Sequence, residues 1–211
     1  MNLLESGVSL NIVILPNQEV AAKAVKFSNA VAAQVDTEFI LDEDHSPHIT
    51  AFQGHFPERN IDKIKEVLKY LAEKTSPFQV QMDEFQVRYT NFVFWNCVKS
   101  IRLQNLHEGV VEAVNPLREG LILPHLETIS GLSEVDQQDR ENFGALLIGP
   151  RYEPHITITR TKNEQGARKA EKILGIRRQE VFTAHQLELW YLGLHGTVTE
   201  RIAEYPFGNR S

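Results

Sequence analysis

The chain has 211 residues, 42% of them apolar and 24% charged, a composition ordinary for folded proteins and long enough to bury a core without crosslinks or metals. Its 22 Lys and Arg against 28 Asp and Glu leave a net charge of −6, the wrong sign for a protein that coats long nucleic acid. The single cysteine, Cys97, cannot form an internal disulfide and reads as a buried, inert thiol in an apolar run.

Residues 10–15 (LNIVIL), ended by Pro16, predict a buried strand. A helix over 19–35 follows, because Val20, Ala24, Phe27, Val31 and Val35 share one face. The acidic run Asp42, Glu43, Asp44 reads as a solvated loop, leading to a strand at 47–52. Asn60 is the expected N-cap of a second helix with the stripe Ile61, Ile64, Leu68 and Leu71. From Phe78 the period changes to two, predicting strands at 78–82, 85–89, 91–98 and 100–103. A helix then carries Leu106, Val110, Val114 and Leu117, and residues 118–150 read as an irregular insertion. A strand at 154–160, a helix at 167–174 and two strands at 181–192 and 196–205, hinged at His195-Gly196, complete the chain. This order predicts an α+β fold: one domain over 1–211, bilobal and pseudo-twofold, with two antiparallel sheets flanked by helices around a central cleft.

Both lobes contain the same tetrapeptide, Pro47-His48-Ile49-Thr50 and Pro154-His155-Ile156-Thr157, 107 positions apart. In a strand, His48 and Thr50 point to one face and Ile49 to the other, and the second copy repeats the pattern. If the polar faces converge, two imidazoles and two hydroxyls share one cleft. Two histidines near neutrality can serve as base and acid, and the threonines as donors to phosphate oxygens, which suits phosphodiester cleavage without a metal.

The duplicated His-x-Thr motif resembles the 2H phosphoesterase superfamily, which includes RNA ligase T type proteins and 2′,3′-cyclic nucleotide phosphodiesterases. The segment 187–198 (LELWYLGLHGTV) is similar to that family's last strands. The resemblance implies a bilobal fold with His48 and His155 catalytic, Thr50 and Thr157 orienting the phosphate, and Arg160 beside the second motif. The first motif departs from the family pattern after Thr50, where Phe52 falls one residue early and Gln53 replaces an apolar residue.

Around the motifs, Arg151 is a candidate phosphate contact or a solvated surface residue, while Tyr152 and Phe52 are candidate stacking surfaces for a base, with core packing the commoner role for an aromatic such as Phe52. Arg160, five positions after His155, reaches the cleft only where the strand bulges near Thr159. A rival metal site would use His45, His48 and His55 beside Asp42 and Asp44, but their spacing fits no defined ligand geometry. His107, His125, His185 and His195 read as structural or surface residues. The expected protein is a cytoplasmic monomer with no cofactor, metal or membrane partner. It hydrolyses a 2′,3′-cyclic phosphate on a small nucleotide or short RNA end, the alternative being a noncatalytic module that binds the same ligand.

Overall fold

The computed structural model describes residues 7–208. Strands β1 (Gly7–Ile14), β2 (Ile49–Pro57), β3 (Phe78–Arg88), β4 (Phe92–Cys97), β5 (His155–Arg160), β6 (Arg177–Ala184), β7 (Gln186–Leu192) and β8 (Val198–Pro206) are all paired antiparallel. Their spatial order, β6-β3-β4-β5-β2-β1-β7-β8, sets β5 beside β2 at the centre, joined through the pair Ile49 and Ile156. Outward from that pair, β5-β4-β3-β6 mirrors β2-β1-β7-β8, so the pseudo-twofold lobes are the two halves of one eight-stranded sheet, where two separate sheets are expected from the sequence.

The helices are α1 (Gln18–Ala32), α2 (Ile61–Lys74), α3 (Ile101–Val114), α4 (Pro124–Glu127), α5 (Glu134–Phe143) and α6 (Glu164–Leu174). The lobes are interleaved in sequence and not consecutive. α1 leaves β1 in one half and packs with α6 against β5, β6, β3 and β4 of the other, whereas α2 and α3 cover β2, β7 and β8. Val20, Ala24 and Val31 of α1 and Ile64 and Leu68 of α2 are buried on the predicted stripes, with Ala72 buried beside them while Ile61 and Leu71 are partly buried, against a sheet face built from Leu10, Ile12, Phe52, Phe56 and Trp95. Each large aliphatic or aromatic side chain buried in this way stabilises the fold by about 1.5–3 kcal/mol.

Several expected elements change. Residues 100–103 are the start of α3, because the Ser100 hydroxyl accepts the Leu103 N–H at 3.2 Å and caps a helix. Asn60 does precede α2, but its amide donates to the Leu117 carbonyl and to Glu119, both at 2.8 Å, and leaves the helix N-terminus uncapped by its side chain. The two alternating runs around Asp83 and Glu84 form one strand, β3, whose register slips at that point. The expected strand over 181–192 is two, β6 and β7, which change lobes at His185.

The insertion is also more ordered than its composition suggests. Ser133 caps α5 through the Asp136 N–H at 3.2 Å, and Gly144 closes it at φ 63°, where a Cβ would meet the Leu121 carbonyl and the Arg118 guanidinium. Buried Arg118 holds the segment's ends together by donating to the carbonyls of Leu121 and Asn142.

Candidate active site

The two tetrapeptides lie on the central strands. Ile49, Ile156 and Ile158 are fully buried on the helix side, so strand alternation turns His48, Thr50, His155 and Thr157 to the open face. Continuing the antiparallel register by one residue from Ile49 and Ile156 sets His48 opposite Thr157 and Thr50 opposite His155. Each histidine therefore faces the other lobe's threonine. The two histidines stand diagonally across the β2–β5 pair, a relation that typically separates Cα atoms by about 7–8 Å.

A matching irregularity follows each motif. Ile12 pairs with Phe52 but Val13 with Thr50, which leaves Ala51 as an extra residue in β2. Val93 pairs with Thr159 but Phe94 with Thr157, which leaves Ile158 as the extra residue in β5. Each bulge reverses the alternation beyond it. Arg160 is thereby returned to the face of His155, with its guanidinium 5.1 Å from the centre of the Phe92 ring. In β2 the same slip sends Phe52 into the core, edge-on to Phe56, and puts Gln53 at the place corresponding to Arg160. Phe52 is therefore not a stacking surface for a base.

The residue two before each histidine, across the proline, supplies a carbonyl to its ring. His48 Nδ1–H donates to the Ser46 carbonyl at 2.8 Å and His155 Nδ1–H to the Glu153 carbonyl at 2.6 Å. With Nδ1 engaged, Nε2 is the atom each ring offers to a reactant. Their surroundings then diverge. His48 Nε2 lies 3.1 Å from the Gly196 carbonyl and 3.5 Å from Nδ2 of fully buried Asn11. His155 stacks on Phe94 at 3.6 Å between ring centres and 12° between planes. Burial pushes its pKa down to about 4, against the pull of the Glu153 carbonyl and helped by the nearby charges of His48 and Arg88. Burial also lowers His48, while the carbonyls of Ser46 and Gly196 oppose the shift.

His48 and Thr157 line a cleft with Phe39, Ser46, His195 and Thr197. His195 is the residue that sequence reasoning passed over. It sits in the β7–β8 turn at φ 60° and accepts a hydrogen bond on Nδ1 from Arg160 Nη1 at 2.7 Å. Its signal in the sequence was a His-Gly pair between two strands, a turn whose position over the motif only the tertiary fold reveals. Asn11 left a clearer sign, a lone polar residue inside LNIVIL.

Two further candidates are occupied elsewhere. Arg151 lies on a 3-10 turn (Gly149–Arg151), not on an extension of β5, and its guanidinium pairs with Asp136 and, at 3.5 Å, with Asp139 of α5. Tyr152 is buried, donates its hydroxyl to the Thr50 carbonyl at 2.9 Å and stacks on His107 at 4.0 Å. His107 in turn donates from Nδ1 to the Ala51 carbonyl at 2.6 Å and accepts the Gly149 N–H on Nε2 at 2.9 Å. Tyr152 is thus a brace for the bulged strand, and no face for a base.

His45 bonds Asp42 at 3.1 Å and His55 bonds the Ser9 hydroxyl at 2.9 Å, so these two and His48 engage separate partners. Among the described residues no group of three or more His, Cys, Asp or Glu is arranged to hold a metal ion, and no helix is long and apolar enough to cross a membrane. Cys97 is buried with its thiol 3.5 Å from the Met82 sulfur, and burial pushes its pKa up.

Comparison with known proteins agrees with this architecture. The crystal structure of TT0787 from Thermus thermophilus superposes with a TM-score of 0.65 at 16% identity, covering 96% of this chain and 100% of that one. The apo crystal structure of Escherichia coli LigT gives 0.59 at 11% identity, covering 97% and 99% of the two chains. A Bacillus cytotoxicus protein that carries the provisional name of a phosphoesterase is 25% identical over 135 residues, 63% of this chain and 75% of its own length. A sequence model of the 2′-5′ RNA ligase superfamily matches residues 24–196, a span that contains both His-x-Thr strands and the turn over them. The duplicated motif, the pseudo-twofold sheet and that match agree: the chain belongs to the 2′-5′ RNA ligase superfamily, the 2H phosphoesterases.

Proposed function

We propose that the protein is a phosphoesterase that opens a 2′,3′-cyclic phosphate, on a nucleotide or a short RNA end, to the 2′-phosphate. The observation that carries this reading is the pair of Nδ1-anchored histidines, each opposite a threonine, on two strands related by the pseudo-twofold. Such an arrangement can hold a phosphate between a base on one side and an acid on the other, which is what in-line displacement at phosphorus requires.

The different surroundings of the two rings support distinct roles for them. His155, stacked on Phe94 and with its pKa near 4, is neutral at pH 7 and accepts a proton on Nε2 from the attacking water. The Gly196 carbonyl, 3.1 Å from His48 Nε2 and nearer than the Asn11 amide at 3.5 Å, favours a proton there, which supports His48 as the acid. Water oxygen bonds to phosphorus, the bond from phosphorus to O3′ breaks, and O3′ takes the proton from His48. Thr50, Thr157 and Arg160 supply hydrogen bonds to the non-bridging oxygens as charge builds on them. E. coli LigT has been crystallised with phosphate and with 3′-AMP, which supports a small nucleotide as the ligand class. Both proton transfers are carried by imidazoles, so the reading requires no metal ion.

The test is incubation with 2′,3′-cyclic nucleotides in excess EDTA, the product being identified by phosphorus NMR. A 2′-phosphate formed at an undiminished rate supports the assignment. Turnover abolished by EDTA and restored by zinc would contradict it, and binding without turnover would make the protein a noncatalytic module.

A further inference from the structure

We propose that His195 is a further phosphate-contacting residue, donating from Nε2–H to a non-bridging oxygen beside Arg160. This rests on the reading of the cleft as a phosphate site. The Arg160 guanidinium can only donate, so the 2.7 Å contact makes His195 Nδ1 an acceptor and leaves the ring proton on Nε2. The ring lies between Arg160 and Phe39, whose plane is 15° from its own, and lines the same cleft as His48 and Thr157. Burial and the Arg160 charge both keep it neutral, against the pull of Glu38, and so with one N–H to give.

The turn is built to hold this residue there. His195 lies in the left-handed region at φ 60°, a conformation uncommon outside glycine that histidine adopts more readily than most residues, and neighbouring contacts fix it. Here the Thr197 N–H and hydroxyl both donate to the Leu194 carbonyl, at 3.1 and 2.8 Å, and the Gly193 N–H donates to the Thr197 carbonyl at 2.8 Å. The same turn brings the Gly196 carbonyl to His48, so one element serves both the acid and the phosphate. Across the pseudo-twofold the place of Arg160 is taken by Gln53, a neutral residue. The positive charge of the cleft is therefore that of Arg160, with neutral His195 beside it as a second donor toward a phosphate anion.

The experiment titrates inorganic phosphate into the 15N-labelled protein in EDTA and follows the histidine ring signals, a readout that needs no turnover. The His195 Nε2–H resonance is expected to shift together with those of His48 and His155. In His195→Asn, which keeps a residue tolerant of positive φ but removes the ring N–H, the phosphate Kd is expected to rise about tenfold. An unchanged His48 titration in that variant establishes that the turn is intact. A His195 signal that stays still while those of His48 and His155 move would overturn the inference alone, as would a variant Kd within about twofold of the wild type. If phosphate moves none of the three rings, the phosphate site itself is wrong and the inference falls with it.

Discussion

Two histidines with the same tetrapeptide around them are made chemically different by their neighbours. His155 rests on an aromatic face and its pKa is pushed down to about 4, so it loses its competence as a base only near that pH. His48 must carry a proton to act as acid, and burial holds its pKa below the usual 6.5. The pH profile of kcat/KM is therefore expected to be a bell on the acid side of neutrality, with its acid limb near 4 set by His155. Replacing Phe94 by Ala admits water to His155, raises its pKa toward 6.5 and moves the acid limb upward. An acid limb that stays in place in Phe94→Ala would mean that another group sets it. At this scale the sequence was legible where residues repeat. His48, Thr50, His155 and Thr157 stood out because the tetrapeptide occurs twice. Strict alternation sets Phe52 on the face of His48 and cannot register the bulge at Ala51 that buries it, whereas Arg160 was placed conditionally on a bulge that Ile158 supplies.

At the scale of elements, the first motif strand is held in its bulged form from behind. Tyr152 binds the Thr50 carbonyl and His107 the Ala51 carbonyl, the two rings stacked in parallel. Tyr152→Phe removes one hydrogen bond and leaves a buried carbonyl without it, so stability is expected to fall by about 1 kcal/mol in urea unfolding. kcat should fall with little change in KM, because Thr50 is displaced without loss of the phosphate's other donors. Arg151 gives the contrasting case. Its guanidinium ties the turn before β5 to Asp136 and Asp139, so Arg151→Ala is expected to cost about 1 kcal/mol of stability and to leave the phosphate Kd within about twofold. A phosphate Kd raised about tenfold or more in that variant would place Arg151 at the anion instead. The helices with regular apolar stripes, α1 and α2, were readable from spacing alone. α5 was hidden because so polar a helix has little periodic signal. Its Ser133 cap and closing Gly144 mark its ends only once a helix is suspected.

At the scale of the whole molecule, the proposed site draws its residues from both lobes. The lobes exchange helices, and their inner strands meet at Ile49 and Ile156, so each histidine is completed by the other half's threonine. The β7–β8 turn of one half reaches Arg160 of the other, which adds a second link across the cleft. Two lobes were legible from the repeated order of strands and helices, but their interleaving was not, since it depends on which sheet each helix covers. A net charge of −6 fits a cleft in which a few local donors hold one phosphate, and a nucleotide or strand end satisfies that limit.

The central claim, two-histidine acid and base catalysis, is tested most directly by kcat/KM for a 2′,3′-cyclic nucleotide in EDTA, measured for the wild type, His48→Ala and His155→Ala with folding checked by circular dichroism. Each folded variant is predicted to lose about 10²–10⁴-fold, the usual contribution of a positioned proton donor or acceptor. Either variant turning over within about threefold of the wild type would contradict the account.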